Sequence, residues 1–170
     1  MKDYELSLVE SESDVQGKGY VHWKSWMETY TGLIDQSFLD TRQTLENCIR
    51  MARIDKERNI STSILAKDND KVVGFISFGE NREDMPNTGE VYALYVLNEY
   101  QNKKIGYKLM MEAIQSLSQY KQIVLWVLKG NDKAISFYEK VGFVFNGEEK
   151  KVMLGSENIE LKMIYKYSEE

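Results

Sequence analysis

Apolar positions along the chain change their period several times, and each change marks an element. Tyr4 to Val9 reads as a short first strand. Trp23, Trp26, Met27 and Tyr30 then fall at i, i+3, i+4 and i+7, one face of a helix. Leu45, Cys48, Ile49 and Ala52 repeat that spacing in a second helix. Thr62 to Ala66 and Val72 to Phe78 read as strands joined by a turn at Asp68-Asn69-Asp70. Val91 to Leu97 is the most strand-like segment of all. Ile105, Leu109, Ala113 and Leu117 line a third helix, and Ile123 to Leu128 is an unbroken apolar run, the pattern of a strand buried on both faces. Ala134, Phe137, Tyr138 and Val141 mark a fourth helix, stopped by Gly142. Phe143 to Phe145 and Ile159 to Tyr165 read as the last two strands. The order β, α, α, β, β, β, α, β, α, β, β predicts a mixed α/β (α+β) domain, with about seven strands in one central sheet and about four helices around it.

Composition narrows the class. The 170 residues suit a single domain spanning 1–170, with 42% hydrophobic and 29% charged residues, as in an ordinary globular protein. One cysteine, Cys48, and one histidine, His22, leave no internal disulfide and no Cys/His metal cluster, so no metal is expected. The N-terminal Met1 to Leu6 carries no apolar core of a signal peptide, and no apolar run approaches ~20 residues. A cytoplasmic protein with no membrane partner is the expectation. The only proline, Pro86, lies in the polar stretch Glu80 to Gly89, which reads as a loop.

The net charge of −5 argues against a nucleic-acid partner, and its distribution adds a contrast. Between Asn98 and Lys140 seven lysines stand against four acids, a local +3 that leaves −8 elsewhere. An anionic ligand on one side and a cationic one on the other would fit, as would plain surface charge. The basic part opens with Gln101-Asn102-Lys103-Lys104-Ile105-Gly106-Tyr107, where a strand gives way to a helix. A helix start offers unpaired backbone N–H groups to phosphate, and a glycine there admits close approach. An ordinary turn with two solvated lysines explains the same segment.

Gln101-x-x-Lys104-x-Gly106 resembles the Gln/Arg-x-x-Gly-x-Gly/Ala pyrophosphate loop of the GNAT superfamily of N-acetyltransferases. Asn131-x-x-Ala134-x-x-Phe137-Tyr138-x-x-x-Gly142-Phe143 is similar to a second element of that family. The likeness is close over the C-terminal half and extends to the N-terminal half only in element order. Lys104 stands where the family has glycine. The resemblance implies acetyl-CoA as co-substrate, lying between splayed fourth and fifth strands. Its pantetheine arm would contact Tyr95, Val96 and Leu97, its phosphates the loop from Gln101 to Tyr107, and Asn131 would touch the arm or cap its helix. A backbone N–H close to Tyr95 would face the thioester oxygen. Tyr138 resembles the tyrosine that protonates the departing thiolate, and Glu90 stands at the offset of a general-base glutamate. An amine acceptor would be met by the first two helices, where His22, Trp26, Tyr30 and Asp35 lie; a buried aromatic core explains the tryptophans and tyrosine equally. The expected activity is acetyl transfer to a primary amine of a small polyamine-like molecule or a peptide, by direct attack in a ternary complex. The alternative is a non-catalytic acyl-CoA-binding module of the same fold. A homodimer is compatible with the sequence, which exposes no interface to reading.

Overall fold

A computed structural model describes residues 2–168. The chain runs β1 (Glu5–Leu8), α1 (Glu12–Tyr30), α2 (Gln36–Thr41), α3 (Leu45–Arg58), β2 (Thr62–Asp68), β3 (Lys71–Glu80) and β4 (Thr88–Val96). After a 3-10 turn at Asn98–Tyr100 it continues as α4 (Ile105–Ser116), β5 (Gln122–Leu128), α5 (Asp132–Val141), β6 (Val144–Leu154) and β7 (Ser156–Lys166). The expected seven-stranded mixed sheet is present, with five helices, one more than the periodicity gave. The extra helix, α2, is a six-residue turn and a half capped by the Asp35 carboxylate on the Phe38 N–H. It is too short to build a periodic stripe.

Strand order is β1-β2-β3-β4-β5-β7-β6. All neighbours are antiparallel except β4 and β5, which pair in parallel over three positions only: Thr88 with Gln122, Gly89 with Ile123, Glu90 with Val124. Beyond Glu90 the two strands part. β4 carries a bulge at the same place: Ser77 opposes Ala93 and Phe78 opposes Val91, so Tyr92 is an extra residue. A bulge bends its strand and sharpens the twist. The Tyr92 hydroxyl fixes the bend by donating to the Glu80 carbonyl.

Two layers of helix cover the sheet. On one face, α4 buries Ile105, Leu109, Met110 and Ala113 against Ile76, Ile123 and Leu125, and Phe137, Tyr138 and Val141 of α5 join this cluster. Each fully buried aliphatic side chain there contributes about 1.5–3 kcal/mol. On the other face, Val21 of α1 packs with Leu65, Val72 and Phe75. The interface of α1 with α3 and the sheet is unusually polar. Lys18 is buried; its ammonium donates to Asp55 on α3 at 2.5 Å and to Ser63 on β2 at 2.9 Å. Asp14 caps its own helix through Ser11 and meets Lys67 at 2.7 Å. These buried polar positions interrupt the apolar stripe, which is why the first half of α1 is missing from the hydrophobic pattern. The last hairpin was also longer than its pattern: β6 is an exposed edge strand rich in lysine and glutamate.

His22 sits at the centre of the α1 face. Its ring stacks on Tyr95 at 5.4 Å and contacts Gln43 at 3.1 Å. Burial, with the Lys18 charge nearby, holds its pKa down at about 4, below the ordinary value of 6.5. His22 is therefore neutral in the fold and charges readily once unfolded. Its contribution to stability is complete above pH 6.5 and is lost as pH falls toward 4. A His22→Gln variant should lose that part of the acid dependence, giving a flatter thermal-denaturation midpoint between pH 6.5 and 4 than the wild-type chain.

Candidate active site

The parting of β4 and β5 opens a cleft of about 710 Å³ running from α1 to the start of α4 and α5. Strand parity decides which backbone groups face it. The Leu97 N–H donates to Val73 on β3, and Phe75 opposes Tyr95. Alternation along an antiparallel pair then turns the amides of Ala93, Tyr95 and Leu97 toward β3, and those of Leu94 and Val96 toward the cleft. This corrects the expectation that Tyr95 and Leu97 contact the ligand through backbone: Leu97 is buried and lies outside the cleft lining, and Tyr95 contributes its side chain. The carbonyl of Val96 already accepts from Gln101 Nε2 at 3.1 Å. Lys133, from the first turn of α5, donates to the other end of the same Gln101 amide. Gln101 thus ties the end of β4 to α5.

The loop expected to hold phosphate is formed from left-handed residues. Asn102 has φ 61° and Lys104 has φ 62° with ψ 12°. Lys104 is the N-cap of α4 and makes no side-chain cap bond. A left-handed residue with a Cβ costs roughly 1–2 kcal/mol, so this is a position that favours glycine. Asn102, Lys104, Ile105, Gly106 and Tyr107 all line the cleft. Lys103 does not: its ammonium lies 5.0 Å from the Tyr100 ring centre. Gly106 lies under Phe137, where a Cβ would sit 3.6 Å from the ring, so the position accepts glycine or alanine. Asn131 lines the cleft and caps α5 by accepting from the Ala134 N–H at 3.3 Å.

At the inner end three phenols meet, from Tyr30, Tyr95 and Tyr138. Burial raises the pKa of each; the nearby Tyr30 phenol adds to the rise at Tyr95 and Tyr138, whereas the hydrogen bond with Tyr95 offsets part of it at Tyr30. All three therefore stay protonated well past neutral pH. Trp26 Nε1 donates to the Tyr95 hydroxyl at 2.9 Å, and its ring meets Tyr30 edge-on at 4.6 Å. Trp26 and His22 form the aromatic layer behind Tyr95 and do not line the cleft, whereas Tyr30 does. Asp35 lies elsewhere. It caps α2 and packs against the β6–β7 turn, where a Cβ on Gly155 (φ 79°) would come within 2.6 Å of it.

Glu90 is also outside the cleft lining. It is 1% exposed, and its oxygens accept from the Arg82 backbone N–H at 2.9 Å and from the Arg82 guanidinium at 2.7 and 3.3 Å. Arg82 stacks on Tyr92 at 4.3 Å, so the pair pins the β3–β4 loop over the bulge. Cleft residues absent from the sequence expectations include Ser25 and Glu28 on α1, Trp126 on β5 and Lys133. Glu28 accepts from the Asn98 N–H at 2.9 Å, joining α1 to the loop after β4. Nothing in the helical spacing of α1 separates these residues from core. Among the described residues no group of three or more His, Cys, Asp and Glu side chains is placed to hold a metal, and no helix is long and apolar enough to cross a membrane.

Replacing Lys104 by glycine should raise unfolding stability by up to about 1 kcal/mol, by relieving the left-handed lysine. Removing the ammonium should at the same time weaken binding of an anionic ligand in the cleft several-fold at low salt and less at high salt. Chemical denaturation and calorimetric titration of the same variant check the two effects.

Residues 22–143 match the Acetyltransferase (GNAT) family. An uncharacterized N-acetyltransferase of Bacillus subtilis strain 168, YuaI, is 30% identical over 130 residues, covering 74% of this chain and 72% of that protein. The spermidine N(1)-acetyltransferase of Thermoplasma acidophilum is 28% identical over 130 residues, covering 71% and 76%. The crystal structure of the PaiA N-acetyltransferase of Thermoplasma acidophilum in complex with coenzyme A superposes with a TM-score of 0.73 at 25% identity, covering 98% of this chain and 100% of that one. With the family pattern spanning most of the sequence and the split sheet in place, the chain belongs to the GNAT family of acetyl-CoA-dependent N-acetyltransferases.

Proposed function

We propose that the chain moves the acetyl group of acetyl-CoA onto a primary amine of a small polyamine-like acceptor, by direct attack with both substrates bound. The observation that carries this reading is the cleft itself. The free edge of β4 presents Leu94 and Val96 amides, the left-handed loop before α4 lies at one end, and three protonated phenols lie at the other. The pantetheine arm would add to the β4 edge as a strand does, and the diphosphate would rest on the N-terminus of α4 beside Lys104. The polyamine class of acceptor is supported by the relatives named for spermidine and spermine.

Each group then has a task. The Leu94 N–H, next to Tyr95 and turned into the cleft, would donate to the thioester oxygen as it becomes an oxyanion. Removing such a donor costs roughly 10²–10³ in rate. Tyr138, kept protonated by burial, would supply a proton to the departing sulfur. Gln101 and Asn131 position the strand end and the helix start on either side of the arm. Glu90, saturated by Arg82, serves the loop that shapes the bulge.

The test is thiol release from acetyl-CoA by the purified protein, against spermidine, spermine, lysine-bearing and free-N-terminal peptides and an aminoglycoside. Release that depends on spermidine or spermine is the expected result. Binding of acetyl-CoA without acceptor-dependent release from any amine would overturn the reading. Tyr138→Phe should lower kcat about 10²-fold while CoA affinity stays within about threefold; a wild-type kcat would remove Tyr138 from the reaction.

A further inference from the structure

An acceptor with more than one amine carries, beside the nitrogen that attacks, an ammonium that stays charged throughout the reaction. A cleft that also takes a polyphosphate ligand must give that ammonium an anion of its own. Among the described residues, the charged ones lining the cleft are Glu28, Lys104 and Lys133. The two lysines stand at the starts of α4 and α5, which leaves Glu28 on α1 as the one carboxylate of the lining. Its Oε2 accepts from the Asn98 N–H at 2.9 Å. Its other oxygen has neither a hydrogen bond nor an ion pair among the described residues.

A second group on the same helix also lacks a partner. Ser25 lines the cleft and is 2% exposed, yet its hydroxyl makes no hydrogen bond among the described residues. A buried hydroxyl left unpaired is costly, and native structures keep few of them without a use. Helix geometry relates Ser25 to Glu28, because side chains three apart are neighbours. Val21, one turn before Ser25, packs with Leu97, and Glu28 reaches Asn98, so Ser25 lies over the end of β4 between these two contacts. At about 100° per residue, Ser25 and Thr29 project together, with Glu28 on one margin and Tyr30 on the other. All four line the cleft. Tyr30 belongs to the phenol cluster of the reaction end. A helix with its side chains is ~10 Å across, so a polar track of about that length crosses α1 from the phenols to the open carboxylate. An extended polyamine has this reach.

We propose that Glu28 and Ser25 form the subsite for the non-reacting ammonium of a di- or polyamine acceptor. The open Glu28 oxygen pairs with the charge, and the Ser25 hydroxyl accepts one of its N–H bonds. The inference rests on the amine N-acetyltransferase reading above and gives it a rule of selection. An amine that bears a second cation one or two short aliphatic spacers from the attacking nitrogen is preferred over a monoamine of equal length. Charge also sorts the two substrates. Lys104 and Lys133 draw an anion toward α4 and α5 and repel the ammonium, while Glu28 does the reverse at α1.

The experiment compares Glu28→Gln and Ser25→Ala with the wild-type chain in two measurements. One is thiol release from acetyl-CoA with spermidine, putrescine and butylamine; the other is calorimetric titration of spermidine into the CoA-loaded protein. Glutamine keeps an oxygen for the Asn98 N–H and removes only the charge. The wild-type chain should prefer putrescine to butylamine about tenfold or more in kcat/KM. Glu28→Gln should bring that ratio close to one, acting through KM rather than kcat. Its Kd for spermidine should rise about tenfold at low salt and less at high salt. Ser25→Ala should bind spermidine several-fold more weakly yet melt at a higher temperature without ligand, since it removes an unpaired buried hydroxyl. A serine with a purely structural role would not split those two readouts. A wild-type diamine preference and spermidine Kd in Glu28→Gln overturn the assignment of Glu28, and an unchanged Kd in Ser25→Ala overturns that of Ser25. Wild-type protein that binds no spermidine overturns both. Wild-type protein that binds spermidine through Glu28 but acetylates no amine would sink the acetyl-transfer reading and leave the subsite standing.

Discussion

Three parallel residue pairs between β4 and β5 hold the sheet together, and the failure of the fourth pair creates the site. Had the pairing continued past Glu90 and Val124, the amides of Leu94 and Val96 would be spent on β5. Instead the Tyr92 bulge turns β4 away and leaves those groups facing a cavity. Buried backbone groups without partners are costly, so such an edge persists only where something completes it. The Gln101 side chain completes part of it by reaching back to Val96, and the remainder faces the cleft. The Arg82–Glu90 pair over the bulge, the Trp26–Tyr95 bond behind it and the Glu28–Asn98 bond at its far end hold the bent strand from three directions.

Much of this was legible in the sequence, for a physical reason. The loop from Gln101 to Gly106 and the segment from Asn131 to Phe143 are local: a strand end, a helix start and a cap lie within a dozen residues, and their spacing encodes their geometry. The unbroken apolar run of β5 and the helical stripe of α4 were equally plain, because both are buried on the expected period. Where residues act across the chain, the pattern fell silent. Lys18 and Asp14 replace apolar residues on the inner side of α1 and are neutralised by Asp55 and Lys67, partners 37 and 53 positions away. The edge strand β6 hides its length behind charge.

The two strand-level corrections have one cause. Whether a backbone amide faces left or right depends on parity, and the parity of β4 is set by its pairing with β3, which the local sequence does not encode. Tyr92 cannot be told from an ordinary strand tyrosine by type or spacing. The cleft-facing amides are those of Leu94 and Val96, so of the expected Tyr95, Val96 and Leu97 only Val96 presents its amide there. Glu90 was reasonable as a carboxylate at the mouth of that strand, but its commitment to Arg82 depends on a loop eight residues upstream folding back. His22, Trp26 and Asp35 were plausible for a cation by type; the fold uses the first two as backing for Tyr95 and the third as a helix cap.

The left-handed lysine before α4 sets a further condition on how such a sequence can change. At that position glycine relaxes the backbone and lysine adds charge, so the two requirements of the loop are met by different residues. A chain that keeps lysine there has exchanged some conformational ease for a positive field at the cleft mouth. A change to glycine at this one position would therefore favour heat tolerance, at the expense of positive charge at the cleft mouth. Backbone ease and local charge are set here by the same residue.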